Sequence, residues 1–194
     1  MILYRVFPYH SSAAPTEPGG ALFVPRGGDG RFDNPSLYRS FYTSLEPECA
    51  IAEHLGDYDV WRDVHLLQKI NLYDNPLSLA IATYNIAANL VDLISVNKLQ
   101  QQGVLRITEI ATRHRKNTQA LAGRLFNASK AAHAGLQWWS FHLPEWTNVM
   151  LWDADNLTLA GAPEVLTLRH PWLVDAARTI HRTIAAATLT GPTP

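Results

Sequence analysis

The alternation of apolar and polar positions predicts a strand, a long loop and a strand–helix unit in the first part of the chain. Residues 2–7 (ILYRVF) are rich in β-branched and aromatic side chains without glycine or proline, which predicts an opening strand. Residues 8–30 are rich in proline and glycine, which predicts a long loop with one short strand at 21–24. The aromatic segment at 38–42 predicts a second strand.

A short helix is predicted to follow this second strand. Ser44 is a suitable N-cap, Pro47 suits the first turn, and residues 50–52 (AIA) favour the helical conformation. This unit carries an internal glutamate, Glu53, one helical turn from Cys49.

The middle of the chain gives less definite patterns. Residues 63–73 (DVHLLQKINLY) have apolar residues at short period, which predicts a strand. Residues 77–95 are apolar enough for either a buried helix or two strands, and periodicity does not decide between them. An extended segment is predicted at 104–108, followed by a helix from about 117 to 133 that Asn117 or Thr118 caps.

The last part of the chain predicts two strands, at 136–140 and 148–152, with 157–160 and 165–168 extending the sheet. Pro171 opens a C-terminal helix. Its apolar stripe comprises Leu173, Val174, Ala177, Ile180 and Ile184. Strands and helices interleave without a regular strand–helix–strand rhythm. The predicted fold class is therefore α+β (mixed α/β), with a twisted, mainly antiparallel sheet and flanking helices.

Length and composition are typical of one globular domain. The chain has 194 residues, of which 47% are hydrophobic and 17% charged, so it is long enough to bury a core. The sequence contains no internal repeat or second core. We interpret residues 1–190 as one domain and 191–194 as a flexible tail.

Charge and cysteine content narrow the class of protein. A formal net charge of −1 argues against a broad electrostatic surface for nucleic acid. The lone cysteine, Cys49, forms no internal disulfide, and the first ten residues lack the charged and apolar regions of a signal peptide. No apolar run approaches the ~20 residues of a membrane span. We expect a soluble cytoplasmic protein without a membrane or direct nucleic-acid partner.

A candidate ligand site surrounds the strand–helix unit. The glycine-rich turn at 27–30 allows close approach of the backbone to a ligand, and Arg31 follows it with donors suited to a diphosphate or a carboxylate. Arg31, Tyr42 and Glu53 are predicted to meet at one end of the unit. The alternative is that Glu46 and Glu53, seven residues apart, mark a solvated stripe of the helix.

Two further basic features have alternative interpretations. Arg5 lies inside the first strand, where its charge needs a partner, either a ligand anion or a structural salt bridge to Glu53 or an aspartate. Residues 113–116 (RHRK) are basic, and a solvated helix entry is favoured over an anion site.

Several common types of site are not indicated. The eight histidines have no metal-ligand spacing, so no metal site is expected. Ser140 and His142 lack the Gly-x-Ser-x-Gly elbow of a serine hydrolase. Neither a P-loop nor a Gly-x-Gly-x-x-Gly motif before a helix is present in the sequence.

Four blocks of sequence, in order, resemble the RES domain, a family named for an arginine, a glutamate and a serine. The blocks are residues 3–6 (LYRV), 30–35 (GRFDNP), 42–44 (YTS) with 50–53 (AIAE), and 135–140 (GLQWWS) with Asn148 and 151–152 (LW). Together they span most of the chain. The resemblance also implies a strand at 89–94 and a short helix at 96–102 that Gly103 ends.

The chain departs from the family pattern within the second block. Asp29 displaces the second glycine of a Gly-Gly pair, and Asp33 is inserted before Asn34. The segment between Glu53 and Ser140 is also long for a compact member. These departures bear on the detail of the pocket.

The resemblance implies an enzyme that acts on NAD+ as substrate and needs no cofactor. RES domains are similar to ADP-ribosyltransferase toxins, and characterised members cleave the nicotinamide–ribose bond of NAD+. The implied activity is NAD+ glycohydrolase or phosphorylase. An ADP-ribosyltransferase that modifies a specific protein, and a non-catalytic RES-like binding module, are the alternatives.

The resemblance also assigns roles to five residues. Glu53 stabilises positive charge on the ribose, and Arg31 and Arg5 bind the diphosphate. Tyr42 stacks on the nicotinamide ring. Ser140 hydrogen-bonds the nicotinamide ribose or a neighbouring group of the site.

The resemblance leaves three points less closely defined: the residue that supplies the family's serine, the protein partner, and the acceptor of the ADP-ribosyl group. Thr118 is the alternative to Ser140 for the family's serine. The implied protein partner is a helix-turn-helix antitoxin that plugs the NAD+ site. Homodimer formation and the choice of acceptor among water, phosphate and protein stay open.

Overall fold

The computed structural model describes residues 1–185 apart from positions 105, 113 and 154. The strands are β1 Ile2–Tyr9, β2 Ser40–Ser44, β3 Val60–Trp61, β4 Leu67–Gln68, β5 Leu77–Asn85, β6 Leu90–Asp92, β7 Gly135–Trp139, β8 Thr147–Trp152, β9 Thr158–Leu159, β10 Glu164–Val165 and β11 Thr183–Ile184. The helices are α1 Pro47–Leu55, α2 Val96–Gln101, α3 Arg115–Ser129 and α4 Pro171–Thr179, with 3-10 turns at Asp63–Leu66 and Ile107–Glu109. The tail predicted at 191–194 lies outside the described residues.

One large sheet runs through the described residues in the order β10-β5-β1-β2-β8-β7-β6, and β4 and β9 also pair with β5. All pairs in it are antiparallel except β6 with β7, while β3 and β11 form a separate parallel pair. The predicted class, an α+β domain around a mainly antiparallel sheet, is confirmed. No helix in the described part of the chain is both long and apolar enough to cross a bilayer.

The apolar residues of the sheet form packed clusters on its two faces. On one face α1 and α4 bury Ile51, Leu55 and Leu173 against Val6 and Ile81 of the central strands. The opposite face carries another cluster, which comprises Leu3, Phe7, Phe41, Tyr84 and Leu151 among others. α3 covers the β7–β8 end, where its Leu121 and Leu125 belong to the cluster of Leu136, Trp138 and Met150. Burial of this apolar surface is the main force that holds the helices on the sheet.

The pairing between β1 and β2 is much shorter than that of their other neighbours. β1 pairs with β5 over eight residues and β2 pairs with β8 over five, whereas β1 and β2 are in register only at Tyr4 and Ser44. All of these strand residues are described. The two halves of the sheet therefore separate beyond this pair, and the opening lies beside the predicted strand–helix unit.

Most of the elements that the sequence predicts are present. The structure contains the opening strand, the strand–helix unit, the strands of the third and fourth blocks, and the C-terminal helix. The ambiguous segment at 77–95 forms two strands, β5 and β6. The helix implied at 96–102 is α2, and Gly103 follows it with φ of 69°, a left-handed conformation that favours glycine.

The strand predicted at 63–73 is largely wrong. A 3-10 turn occupies its first four residues, and only Leu67–Gln68 pair with β5. Val64, Leu67 and Leu72 are exposed by 63%, 48% and 68%. The apolar pattern predicted burial against the sheet, and the packing of the rest of the chain leaves these side chains at the surface.

Two other extended segments are also absent. Residues 21–24 form no strand, because the carbonyls of Ala21 and Phe23 accept hydrogen bonds from the Arg5 side chain instead of a neighbouring strand. Of the segment predicted at 104–108, position 105 lies outside the described residues, and the part from 107 onward belongs to the turn Ile107–Glu109, whose start is fixed by a hydrogen bond from the Arg106 N–H to Glu109 Oε1.

The predicted helix ends also need correction. The N-cap of α1 is Glu46, and Ser44 instead donates to Asn148 Oδ1 at 3.0 Å. α3 begins at Arg115 after His114, and neither Asn117 nor Thr118 caps it. α4 ends at Thr179, so Ile184 lies in β11 rather than on the helix stripe. Ser44, Thr118 and Ile184 instead contact residues distant in sequence, namely Asn148, Arg31 and Trp61.

We predict that Gly135→Ala destabilises the sheet at the start of β7. An added Cβ would lie 2.1 Å from the Met150 carbonyl oxygen and 2.9 Å from the Leu151 Cα, both backbone atoms of β8. We expect the free energy of unfolding in urea to fall by about 1–3 kcal/mol. Gly28→Ala is the matched control, because its Cβ would meet nothing within 4 Å. Equal losses in the two variants would contradict the prediction.

Candidate active site

An open cavity of ≈ 630 Å³ lies where β1 and β2 separate. Tyr4, Arg5 and Val6 of β1 and Tyr42, Thr43 and Ser44 of β2 line it, together with Arg31 and Glu53. A volume of this size falls in the ordinary range for small-molecule sites. Four of the five predicted site residues, Arg5, Arg31, Tyr42 and Glu53, thus share one cavity, and Ser140 lies directly behind Glu53.

The carboxylate of Asp33 holds the glycine-rich turn in its shape. Its Oδ2 accepts hydrogen bonds from the N–H groups of Gly28 and Gly30 at 2.7 and 2.8 Å. Its Oδ1 accepts from the Tyr42 hydroxyl at 2.8 Å, and that hydroxyl accepts from the Phe32 N–H at 3.0 Å. Gly30 has no space for a side chain, since a Cβ there would lie 2.5 Å from the Tyr42 hydroxyl oxygen. The inserted aspartate therefore connects the turn to strand β2.

These hydrogen bonds shift the acidity of both partners. Burial opposes ionisation of Asp33, but the hydrogen bonds that its carboxylate accepts outweigh this penalty and hold its pKa below the ordinary value. Burial, followed by the negative charge of Asp33, raises the pKa of Tyr42 well above that of a free tyrosine. Asp33 is therefore the acceptor and Tyr42 the donor at neutral pH. The phenol is fixed at its hydroxyl end, and its ring packs at right angles to that of Trp138, with 6.2 Å between the centroids.

The first turns of α3 hold the glycine-rich turn from the other side. The Gln119 side chain donates to the carbonyls of Gly28 and Gly30 at 3.0 and 2.9 Å. The Asn34 amide donates in return to the Gln119 carbonyl at 2.9 Å. No local sequence pattern marks Gln119 for this contact, because 89 residues separate it from Gly30.

Arg31 lies at the cavity with its side chain unpaired. Thr118 of α3 donates its hydroxyl to the Arg31 carbonyl, which fixes the backbone. Among the described residues, no hydrogen bond or ion pair engages the Arg31 guanidinium, which is half-buried. A planar group with five free donors at a cavity wall is well suited to bind a carboxylate or phosphate.

Glu53 is held through one of its two carboxylate oxygens. Oε1 accepts from the Ser140 hydroxyl at 2.7 Å and from the Asn148 amide at 2.6 Å. Oε2 has no hydrogen-bond partner among the described residues, and the side chain is exposed at the cavity. The carboxylate is thus fixed in orientation and keeps one oxygen available for a ligand. The alternative, that Glu46 and Glu53 mark a solvated stripe, does not describe these side chains, because both are hydrogen-bonded to the protein. Glu46 accepts from the Thr147 N–H, and Glu53 accepts from Ser140 and Asn148.

Ser140 and Asn148 support Glu53, and Asn148 also lines the cavity while Ser140 does not. Both are buried, at 1% and 5% exposure. The Ser140 hydroxyl oxygen accepts from the His142 N–H at 3.1 Å, and the Asn148 Oδ1 accepts from Ser44 at 3.0 Å. Thr118, the alternative for the family's serine, lies beneath Arg31 instead.

Asn148 was not assigned a role from the sequence. The signal for it was present, because the residue belongs to the fourth block that carries the resemblance. What the sequence could not supply was its contact with Glu53, 95 residues away.

Arg5 lines the cavity, but its guanidinium has protein partners. It donates to the Phe23 carbonyl at 2.8 Å and to the Ala21 carbonyl at 3.4 Å, and its Cζ lies 4.3 Å from the centre of the Phe41 ring. A salt bridge to Glu53 or an aspartate is not among the ion pairs of the described residues. The arrangement favours a role for Arg5 in anchoring the 21–23 loop, and its contact with a diphosphate stays a prediction.

The basic cluster at 113–116 contributes one residue to the cavity. Among its described residues, Arg115 lines both the cavity and a separate open depression, whereas His114 and Lys116 border the depression alone. Arg113 lies outside the described residues. In the described part of the chain, no group of three or more His, Cys, Asp and Glu side chains is arranged to hold a metal ion.

Comparison with known proteins gives a consistent match of family and fold. The family model described as the RES domain matches residues 2–180 of this chain. No curated protein sequence matches it at a significant level. Among solved structures, a chain of the MbcT–MbcA toxin–antitoxin complex of M. tuberculosis has a similar fold. The TM-score is 0.57 at 13% sequence identity, over 93% of this chain and 88% of that chain.

We predict that Asp33→Asn destabilises the protein in a pH-dependent manner. The pKa of Asp33 is lowered by folding, so its ionised form adds stability in full above the ordinary carboxyl pKa of about 3.9 and loses it as pH falls through the lowered value. We expect the variant to be less stable by about 2 kcal/mol at neutral pH, with a smaller difference in acid. Thermal or urea unfolding between neutral pH and about pH 2.5 measures this difference.

The exposed Asp74 supplies the control for this prediction. Asp74→Asn removes the same charge from a surface position and is expected to change stability by less than about 0.5 kcal/mol. A constant difference between wild type and Asp33→Asn over the whole pH range would contradict the assignment.

Proposed function

Since this chain belongs to the RES domain family, we propose that it is an enzyme that cleaves the nicotinamide–ribose bond of NAD+ and acts as the toxin of a toxin–antitoxin pair. The observation that carries the proposal is the state of Glu53. One oxygen of its carboxylate is fixed by Ser140 and Asn148, and the other is free at the cavity that Arg31 lines. A rigidly held anion and a free cation in one cavity suit a substrate that carries negative phosphates and develops positive charge elsewhere.

The nicotinamide of NAD+ is a good leaving group, because its positively charged ring becomes neutral when the bond to ribose breaks. Nicotinamide departs with the electron pair of the N-glycosidic bond, which neutralises its ring nitrogen and leaves positive charge on the ribose. Glu53 stabilises this oxocarbenium-like ribose, because its negative charge is fixed before the reaction begins. Water or phosphate then adds through an oxygen to the positively charged ribose carbon and releases a proton to solvent, which completes the transfer.

Arg31 and Tyr42 position the substrate in the proposed mechanism. The free guanidinium of Arg31 binds the diphosphate through paired hydrogen bonds. Tyr42 offers its ring to the nicotinamide, and its fixed hydroxyl prevents the ring from turning away. The diphosphate and the nicotinamide lie on either side of the ribose whose bond is cleaved, so holding both keeps the scissile bond at Glu53. In this mechanism Arg5 contributes positive charge and shape from beneath the cavity.

The proposed biological role rests on the fold and on the family. The similar chain from M. tuberculosis comes from a complex described as toxin–antitoxin, which supports a toxin role here and an antitoxin as the protein partner. The exposed Glu53 and open cavity are accessible to a protein that would plug them. A short helix-turn-helix reading frame beside the gene would agree with this role.

We predict that the purified protein releases nicotinamide from NAD+ and that Glu53→Gln lowers the rate by about 10²–10³-fold, the size of effect seen when one stabilising group is removed. Arg31→Ala is expected to act mainly on KM, because it removes a contact to the diphosphate. Chromatographic assay of nicotinamide measures both. Glu48→Gln is the matched control, since Glu48 lies on the same helix but does not line the cavity.

The same assay separates the alternatives. Release of free ADP-ribose or its phosphate ester supports the glycohydrolase or phosphorylase, whereas label from NAD+ on a single protein band of a lysate supports an ADP-ribosyltransferase. Cellular toxicity that persists in Glu53→Gln would favour a non-catalytic binding module. Intact NAD+ with water, phosphate and lysate as acceptors would contradict the proposal.

We also predict that Asn148→Ala and Ser140→Ala lower kcat by about 10–100-fold with little change in KM, because they loosen Glu53 without removing it. Steady-state kinetics on NAD+ measures the two constants separately. Tyr73→Phe is the control, because the Tyr73 hydroxyl donates to the Pro18 carbonyl and Tyr73 does not line the cavity. A rise in KM with unchanged kcat in Asn148→Ala would show that it contacts substrate directly.

A further inference from the structure

Two arginines from distant parts of the sequence line the same cavity. Arg31 follows the glycine-rich turn, and Arg115 is the first residue of α3. The hydroxyl of Thr118 lies within hydrogen-bond reach of both main-chain carbonyls, that of Arg31 and, at 3.1 Å, that of Arg115. One side-chain oxygen therefore fixes the two arginine backbones close to each other. Both residues line the same cavity from this shared base, and Arg115 also borders the neighbouring depression.

A carboxylate from the glycine-rich turn accompanies Arg115. Asp29 Oδ1 lies 4.0 Å from Arg115 Nη1, and the two side chains are exposed by 105% and 64%. An ion pair at this distance and exposure is weak, and a stronger anion displaces it readily. The main chain on both sides of Asp29 is fixed to α3, because Gln119 donates to Gly28 and Gly30. Asp29 therefore stays near Arg115 while its own carboxylate is free to move.

We propose that Arg115 is the second arm of a diphosphate clamp with Arg31, and that Asp29 competes with the substrate for Arg115. This inference rests on the proposed function and identifies residues that set the affinity for substrate. A diphosphate carries two anionic groups, so two guanidinium groups neutralise it better than one. In the free protein Asp29 partly neutralises Arg115, and the bound diphosphate takes its place. Asp29 is also a position at which this chain departs from the double glycine of the family pattern.

Binding of ADP-ribose to the purified full chain tests the clamp without requiring catalysis. We expect Arg115→Ala to raise the calorimetric Kd about tenfold, the effect of losing one charge-assisted hydrogen bond. Lys116→Ala is the matched control, because it removes the same charge from the next residue, which does not line the cavity. Its Kd is expected to stay within about twofold of wild type, since exposed charges at a distance are screened. Equal Kd values for Arg115→Ala and Lys116→Ala would overturn the inference.

Because Asp29 competes with the substrate, its removal is expected to change the Kd for ADP-ribose in the opposite direction to the removal of Arg115. Asp29→Asn is expected to lower the Kd for ADP-ribose by about two- to fivefold, because Arg115 no longer has an internal partner. In the Arg115→Ala background this gain is expected to disappear, since the two residues act through one ion pair. A full gain without Arg115, or weaker binding in Asp29→Asn alone, would contradict the role. Adenosine, which lacks a diphosphate, should show none of these differences.

The two assays keep the outcomes distinct. Tight ADP-ribose binding with the expected variant effects, but no nicotinamide release from NAD+, would overturn the proposed function and leave the clamp in place. Nicotinamide release with unchanged ADP-ribose binding in Arg115→Ala would overturn the clamp alone. A wild-type protein that binds no ADP-ribose would overturn both.

Discussion

The separation of β1 from β2 is the constraint on which the candidate site depends. The two strands are in register only at Tyr4 and Ser44, although each forms a long ladder with its other neighbour. A continuous ladder at this position would close the sheet and remove the cavity. Because the strands are instead held by their outer partners and by α1, the opening persists in a packed structure. Backbone and side chains of both halves then face a shared space.

Two carboxylates beside this opening have different tasks because their surroundings differ. Asp33 is buried and accepts hydrogen bonds at both oxygens, so it holds the glycine-rich turn and Tyr42 in place. Glu53 is exposed and accepts hydrogen bonds at one oxygen, so half of its capacity remains for a ligand. A carboxylate whose two oxygens are hydrogen-bonded stabilises the fold, whereas a fixed carboxylate with one free oxygen can still bind a ligand or stabilise a positive charge.

The arginines differ in the same way. Arg5 donates to main-chain carbonyls and packs on an aromatic ring, which commits its guanidinium to the fold. Arg31 has only its backbone fixed, by Thr118, and its guanidinium stays free at the cavity wall. Arg115 lies between these cases, with one weak, exposed ion pair to Asp29. The degree to which each guanidinium is already occupied indicates how available it is to an anion.

The sequence by itself determined the local features: the strand–helix unit around Tyr42 and Glu53, the antiparallel class of the sheet, and the ordered blocks that resemble the family. It failed at residues 63–73 and at the helix caps, where apolar period or cap chemistry was present but the partners lay elsewhere in the chain. The tertiary structure alone decided that Asn148 and Ser140 orient Glu53, that Arg5 is anchored by carbonyls, and that Arg115 joins Arg31. These contacts join residues far apart in the chain, and local propensity contains no information on which distant groups will meet.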